Sequence, residues 1–194
     1  MNDHDPLDRT ELPATVPPAD GPAALAERRR LRQAADAEFS AFYRATVRPL
    51  VAFLINQGAG VHAAADIAQE TMTNAYRRWS DLYEPRAWAY TVASRALLRR
   101  LSDVAEDPVE EVPEPTSLLA RPDAIAEWEA RHRVVPLLRS LPPRQRQVLA
   151  WTLAGFTPGD IADQLGLPNE TVRANLRKAR LAAAAYLRTR EEEL

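Results

Sequence analysis

Basic side chains near the end of the chain have the type and spacing that bind nucleic acid. In TPGDIADQLGLPNETVRANLRKAR, residues 157–180, Arg173 and Arg177 are four residues apart and Lys178 follows directly. Because neighbours on a helix step by about 100°, these three side chains share one side of a helix. Guanidinium groups make paired hydrogen bonds to phosphate or to the edge of guanine. The stretch therefore predicts a helix that contacts nucleic acid.

The same helix has an apolar stripe that would hold it in place. Val172, Leu176, Ala179 and Ala183 recur with the helical period and predict the buried side. The side chains that point away from this stripe are Thr171, Arg173, Ala174, Arg177 and Lys178, with Asn175 at its margin. An ordinary helical hairpin with a solvated basic face is the alternative interpretation.

A short capped helix is predicted directly before it. Thr157 is suited to the N-cap, Pro158 to the first helical position, and Asp160 to the return bond of a capping box. Gly166 is suited to the left-handed residue that ends a helix, and Asn169 to the cap of the next one. Two helices joined by a glycine turn, the second one basic, predict a helix-turn-helix.

Groups that could support catalysis or metal binding are sparse. Asp66 and Glu70 lie one helical turn apart, as a metal site or an acid–base pair would require, but His62 is the only histidine nearby and the chain has no cysteine. The sequence also lacks a phosphate-binding glycine loop and a nucleophile elbow. We expect no catalytic residue, no metal and no cofactor, and interpret this helix face as either solvated or a docking surface.

The charge is distributed in opposed blocks. The formal net charge is −2, yet residues 139–190 hold nine basic and three acidic side chains, whereas residues 103–114 hold six acids and no base. A local basic patch can bind phosphates whatever the total charge. The absence of cysteine fits a reducing compartment, and no apolar run approaches the length of a membrane span. We therefore expect a cytoplasmic protein with no membrane insertion.

The helical patterns predict an all-α protein with two small helical domains. We assign a largely disordered N-terminal extension to residues 1–35, although a helical pattern begins at Ala23, and an acidic, proline-rich linker to residues 103–122. The two domains are residues 36–102 and 123–190. Their predicted helices span 37–56, 62–79, 85–101, 123–139, 143–154, 158–165 and 170–189. Pro49 is expected to kink or divide the first of these helices.

The order of these motifs resembles a known family. Asp66, Gln69 and Glu70 form a D-x-x-Q-E pattern on the second helix, and the tryptophan-containing helix PRAWAYTVASRALLRRL, the linker and LPPRQRQVLAWTLAGFTPGDIADQLGLPNETVRANLRKAR follow in turn. This combination resembles the sigma-70 family of RNA polymerase sigma factors, in its extracytoplasmic-function (ECF) group. The resemblance covers residues 39–187. The helix-turn-helix alone is less specific, because response-regulator effector domains have a similar opening and turn.

The resemblance implies roles for residues in each region. Asp66, Gln69 and Glu70 would bind the clamp helices of the largest subunit of core RNA polymerase. The third helix would capture melted minus 10 DNA, with Arg86, Trp88, Tyr90, Arg95 and Arg99 as candidates. The minus 35 duplex would be recognised by Thr171, Arg173, Ala174, Asn175, Arg177 and Lys178. The flap of the second-largest subunit and an anti-sigma factor are further partners that the resemblance allows, and relatives thread the linker through the RNA exit path.

The third helix departs from the family pattern. Ser94-Arg95 replaces the usual Arg-Asn pair, Arg99 replaces a common aspartate, and the preceding loop DLYEP lacks the usual glycine and phenylalanine. These changes leave the identity of the minus 10 bases open. Arg144 and Arg146 are candidates for phosphate contact or for a solvated helix start. The alternative function is a free-standing helix-turn-helix regulator whose first domain is a sensor or dimerisation module.

Overall fold

A computed structural model describes residues 21–106 and 134–192, and this part of the chain is helical without a β-strand. The elements, in chain order, are α1 (Pro22–Asn56), α2 (Val61–Arg77), a short 3₁₀ helix (Trp79–Asp81), α3 (Pro85–Glu106), α4 (residues 134–140), α5 (Pro143–Leu153), α6 (Pro158–Leu165) and α7 (Asn169–Glu192). The predicted all-α class is confirmed.

Proline and glycine set most of the boundaries between helices. Pro85, Pro143 and Pro158 each occupy the first position of a helix, where the missing N–H costs no intrahelical bond. α3 continues to Glu106, so residues 103–106 are helical rather than part of an extended linker. The next proline after Pro85 is Pro108, and helices tend to end before the residue that precedes a proline.

Pro49 does not divide the first helix. α1 runs without a break from Pro22 to Asn56 with Pro49 inside it, so the predicted division is wrong. Proline removes one backbone donor and disfavours the helix interior by roughly 3 kcal/mol. Burial of Leu50, Phe53 and Leu54 directly after Pro49 compensates for that cost.

The first half of the core is formed by α1, α2 and α3. The buried side of α2 contains Ala64, Ile67, Ala68, Thr71, Met72 and Ala75. Trp79, just after α2, is half-buried, with its ring centroid 5.0 Å from that of Phe42. On α3 the buried residues include Ala89, Tyr90, Ala93 and Leu97. The buried side of α2 thus lies away from Asp66, Gln69 and Glu70, which are exposed.

The second half of the core is formed by α5, α6 and α7. Val148 and Trp151 of α5 are fully buried with Ile161 of α6 and Val172 of α7. Leu176 and Ala179 are buried as well and Ala183 is half-buried, which confirms the predicted apolar stripe of α7. Both halves belong to one hydrophobic cluster, because Trp151 and Phe156 contact Phe53 and Tyr90.

The chain divides into two compact units between Ala37 and Glu38, inside α1. Residues 22–35, at the end of the predicted extension, are helical, in keeping with the pattern that begins at Ala23. The predicted disorder before residue 21, most of the acidic linker and the start of the 123–139 helix lie outside the described residues. Among the described helices, none is both long and apolar enough to span a bilayer.

Candidate nucleic-acid interface

The turn between α6 and α7 is held by local hydrogen bonds. The Thr157 hydroxyl accepts from the Asp160 backbone N–H at 3.2 Å, and an Asp160 carboxylate oxygen accepts from the Thr157 backbone N–H at 2.8 Å. The bond from the Thr157 N–H, and a second one that the Thr157 hydroxyl donates to the same carboxylate oxygen at 2.8 Å, lower the pKa of the Asp160 carboxyl below its usual value. Gly166 adopts the left-handed conformation, with φ 63° and ψ 39°, and the Leu167 N–H donates to Ala162 O at 2.9 Å. The predicted capping box and glycine turn are therefore confirmed.

The outer side of α7 is accessible and cationic. Thr171, Arg173, Ala174, Arg177 and Lys178 are exposed and Asn175 is half-buried. Behind them, Val172, Leu176 and Ala179 anchor the helix, so this face is presented on a rigid support. A groove of about 440 Å³ lined by Pro158, Arg173, Leu176, Arg177, Arg180 and Leu181 borders the face.

Two side chains on α7 are oriented by hydrogen bonds along the helix. Asn169 is the first residue of α7, and its side-chain oxygen accepts from Arg173 Nε at 2.8 Å instead of serving as the predicted cap. This bond uses Nε and not the two terminal guanidinium nitrogens of the exposed Arg173 side chain. Asn175 Nδ2 donates to Thr171 O at 2.8 Å. The arrangement can present Arg173 to a groove or a phosphate with little loss of side-chain entropy.

The two arginines at the start of α5 differ in their surroundings. Arg144 is exposed and donates to Gln147 Oε1 at 2.8 Å. Arg146 is half-buried and donates from Nε to Leu138 O at 2.9 Å and from Nη2 to Arg139 O and Leu141 O at 2.9 and 3.1 Å. Its guanidinium satisfies the last carbonyls of α4. Arg146 therefore has a structural role that neither interpretation of the sequence included.

The candidate docking residues of α2 form an exposed acidic and polar surface. Asp66, Gln69 and Glu70 are all exposed, and a carboxylate oxygen of Asp66 lies 3.9 Å from Arg100 Nη1. Both side chains of this pair are at least half exposed, so solvent screens their attraction. Gln69 accepts a hydrogen bond at 3.2 Å from the Tyr43 hydroxyl. The surface can take part in polar contacts with a partner without rearranging the core.

The five candidates on α3 lie on two different sides of the helix. Trp88, Arg95 and Arg99 recur at seven- and four-residue intervals and share the outer side, where both arginines are exposed and Trp88 is half-buried. The Arg78 guanidinium lies over the Trp88 ring, 6.0 Å from its centroid. An aromatic ring flanked by cations is a surface on which single-stranded bases can stack. The structure therefore brings three of the five candidates together.

The other two candidates, Arg86 and Tyr90, face the second half of the core. Tyr90 is 1% exposed, and its ring centroid lies 4.8 Å from that of Phe53 and 5.1 Å from that of Phe156. Burial raises the pKa of the Tyr90 hydroxyl, and the Arg86 charge partly opposes that shift. The Arg86 guanidinium lies 4.5 Å from the centroid of Phe156 and donates to Ala154 O. In this conformation the α5–α6 region covers Tyr90 and engages Arg86.

Further polar contacts join α3 and α1 to the second half of the core. The Thr91 hydroxyl donates to Gln164 Oε1 of α6. At the end of α1, Gly58 has φ 111°, and a β-carbon there would lie 2.9 Å from Arg146 Nη1. Three buried nitrogens, Gln57 Nε2, Gln147 Nε2 and Trp151 Nε1, have no hydrogen-bond partner within the described residues. Unsatisfied buried donors of this kind disfavour a packed arrangement by about 1–3 kcal/mol each.

Sequence reasoning missed the residues that join the two halves. No motif marks Gln164, because its partner Thr91 lies 73 positions earlier, and none marks Arg146, whose partners are backbone carbonyls five to eight residues before it. For Tyr90 a signal was present, since Ala89, Ala93 and Leu97 define the buried side of α3 and Tyr90 adjoins it. Within residues 21–106 and 134–192 there is no cluster of three or more His, Asp or Glu residues that could hold a metal ion.

Two family models match the chain. A model described as sigma-70 region 2 matches residues 42–106, and one described as sigma-70 region 4 matches residues 131–182. Together they span more than half of the sequence. The first contains α2 and α3, and the second contains α4 to the middle of α7 as far as these helices are described. No curated protein matches the chain.

Two solved structures have a fold similar to that of this chain. A structure of CnrH in complex with the cytosolic domain of CnrY has a TM-score of 0.58 and 21% sequence identity, over 81% of this chain and 94% of that chain. The sigma factor RpoE, in complex with the anti-sigma factor NepR from Bartonella quintana, has a TM-score of 0.59 and 19% identity, over 78% of this chain and 97% of that chain. At these identities the likeness shows a shared fold.

Proposed function

This chain belongs to the sigma-70 family and directs promoter-specific transcription. On that premise we propose a binding role for each of its two helical regions. The observation that carries the proposal is the exposed cationic face of α7 on its buried apolar stripe. In the proposal, the chain itself catalyses nothing. Core RNA polymerase supplies the chemistry in the cytoplasm, and this chain selects where transcription starts.

In this proposal α7 recognises the minus 35 element in the major groove. Arg173 and Arg177, four residues apart on the exposed face, contact guanine edges or phosphates. Ala174 lies between them and, being small, lets the helix backbone approach the bases. Thr171, Asn175 and Lys178 complete the contact surface. The bond from Arg173 Nε to Asn169 supports the assignment, because it restrains the arginine before DNA binds.

Asp66, Gln69 and Glu70 are assigned to core polymerase. They lie on the exposed side of α2, opposite the stripe that packs on α1 and α3. Such a surface suits a polar interface with the clamp helices of the largest subunit, where charge complementarity governs the rate and register of association. The α4–α7 region would contact the flap of the second-largest subunit.

Trp88, Arg95 and Arg99 are assigned to the melted minus 10 strand. They form an accessible surface in the present conformation, whereas Arg86 and Tyr90 face Phe156 and Trp151. A contribution from Arg86 or Tyr90 requires the α5–α6 region to move away from α3.

An anti-sigma factor is a further proposed partner. The similar structure of RpoE is bound to an anti-sigma factor, NepR. A partner of that kind would act on this chain by holding the two halves closed, and so by keeping Tyr90 buried.

Reconstituted run-off transcription tests the proposed function. Core RNA polymerase is mixed with this chain and a genomic promoter library, and start sites are mapped with and without the chain. We expect defined start sites only when the chain is present. If initiation instead requires a second sigma factor, the chain acts as a free-standing regulator and the proposal is wrong.

A further inference from the structure

The first unit of the chain contains an arginine-rich helical segment that no family match covers. Region 2 is matched from residue 42 onward, whereas α1 begins at Pro22. Residues 27–32 read ERRRLR, and we call them the arginine segment. Any role of this segment therefore has to be argued from its own residues.

The arginine segment has no buried side. Every residue from 21 to 34 is exposed, including Leu25 at 44% and Leu31 at 61%. Most helices in proteins are stabilised by packing one apolar face, and short helices without such packing are marginal in water. A helical segment that is exposed on all sides is suited to present its side chains to a binding partner.

The charge of the segment specifies an anionic partner. From residue 22 to residue 35 the charged side chains are four arginines and one glutamate, Glu27. Arg29 and Arg32 are three residues apart and share one side of the helix, and Arg30 lies on another side. All three are exposed, so their guanidinium groups can reach a phosphate without displacing packed structure.

A membrane surface and an acidic protein are both anionic, but each fits the arginine segment less well than DNA does. A helix that lies on a membrane needs a continuous apolar face opposite its basic face, but Leu25 and Leu31 are six residues apart and point to different sides. An acidic protein could also pair with arginine, since the planar guanidinium forms paired hydrogen bonds with carboxylate as well as with phosphate, but DNA is already a ligand of this chain in the proposed function.

We propose that Arg29, Arg30 and Arg32 bind backbone phosphates of promoter DNA as a sequence-independent anchor. The inference rests on the proposed function, because that function makes promoter DNA a ligand of this chain. Phosphate contacts add affinity and fix register but carry no sequence information. The anchor thus strengthens every promoter complex by a similar factor.

The salt dependence of promoter binding tests this anchor. Holoenzyme assembled from core polymerase and the full chain is titrated with promoter DNA between about 50 and 200 mM salt, in wild type and in the triple variant Arg29→Gln, Arg30→Gln, Arg32→Gln. A plot of log K against log salt has a negative slope, and each lost phosphate contact reduces the magnitude of that slope by about 0.9. Loss of three contacts therefore reduces it by about 2.7. Over that fourfold rise in salt, wild type then weakens about 40-fold more than the variant.

A charge-preserving control separates electrostatics from folding. The variant with lysine at all three positions keeps the positive charges, so its slope stays close to that of wild type. Lysine and glutamine are both good helix formers, so circular dichroism of the two variants is expected to match. A nonspecific DNA fragment is expected to lose the same factor as the promoter, because phosphates are common to both.

The outcomes that overturn the anchor are distinct from failure of the proposed function. An unchanged slope in the glutamine variant overturns it, and so does a loss of affinity for core polymerase with the DNA slope intact, which would assign the segment to an acidic protein surface. Failure of the wild-type chain to direct initiation would refute the proposed function itself, independently of any arginine variant.

Discussion

Removal of the hydrogen bond between Thr91 and Gln164 can open the two halves of the protein without disrupting the core of either half. This bond joins α3 to α6 at the junction that covers Tyr90. We predict that Gln164→Ala shifts the protein toward an open form. Gln164 is only half-buried, and alanine is a strong helix former, so the change leaves the α5–α7 core in place.

The size of the effect follows from the bonds at this junction. The Thr91 hydroxyl has a single proton, which Ala87 O at 2.9 Å can also accept, so removal of the glutamine leaves no orphaned donor. The loss is therefore that of one neutral hydrogen bond, about 0.5–1.5 kcal/mol. If the closed form predominates, the open fraction rises about 2- to 13-fold, and the apparent affinity of any ligand specific to the open form rises by the same factor.

Two measurements follow the shift directly. The chain has no native cysteine, so a donor and an acceptor dye can be attached after Ala65→Cys and Ala184→Cys, two exposed positions in the two halves. We expect Gln164→Ala to lower the transfer efficiency in the absence of polymerase. Anisotropy of a labelled minus 10 single strand is expected to show tighter binding by up to the same factor, because Trp88, Arg95 and Arg99 are accessible in both forms whereas Tyr90 is accessible only in the open one.

A double-mutant cycle serves as the control. Thr91→Val removes the same bond from the other side, so Gln164→Ala in that background should add little further opening. Thermal denaturation verifies that each variant keeps its fold. If neither single variant changes energy transfer or single-strand affinity while both remain folded, the junction does not limit access to α3 and the reasoning is refuted.

Three further predictions concern the exposed surfaces and the α6 cap. Arg173→Ala and Arg177→Ala should each weaken promoter binding by about 1–3 kcal/mol if they make paired base contacts; equal promoter affinity in a gel-shift titration of the holoenzyme would exclude those contacts. Asp66→Lys with Glu70→Lys should reduce pull-down of core polymerase without changing the melting temperature, and undiminished pull-down would show that this face is only solvated. Hydrogen bonds from Thr157 lower the pKa of Asp160 in the folded protein below the unfolded pKa of 3.8. The folding stability that the ionised carboxylate contributes is therefore fully present above pH 3.8 and is lost as the pH falls through the lower, folded pKa. Asp160→Ala should therefore lower the melting temperature at pH 7 and flatten its acid dependence, which pH-series denaturation measures.

The helix-turn-helix could be predicted because its determinants are local. Thr157, Asp160 and Gly166 act on backbone groups within five residues, and the apolar stripe of α7 repeats within a single helix. Such bonds depend on neighbouring residues and not on tertiary contacts. The exposed side of α7, and with it the minus 35 candidates, follows from the same period.

The junction could not be predicted for the opposite reason. The period of α3 indicates which side is buried but not what covers it, and Tyr90 was assigned to DNA although Trp151, 61 positions later, lies against its ring. Likewise, Arg146 has the sequence context of a surface arginine, yet it bonds three carbonyls at the end of α4.

Local sequence therefore sets the helices, their caps and the cationic face of α7, since those features depend on groups a few residues apart. Long-range packing sets which α3 candidates are accessible, because Tyr90 is buried against Trp151 and Phe156, and Arg86, although exposed, is held by Ala154 O and the Phe156 ring. The element of the fold that packs against one side of a helix determines which other sides remain accessible to ligands.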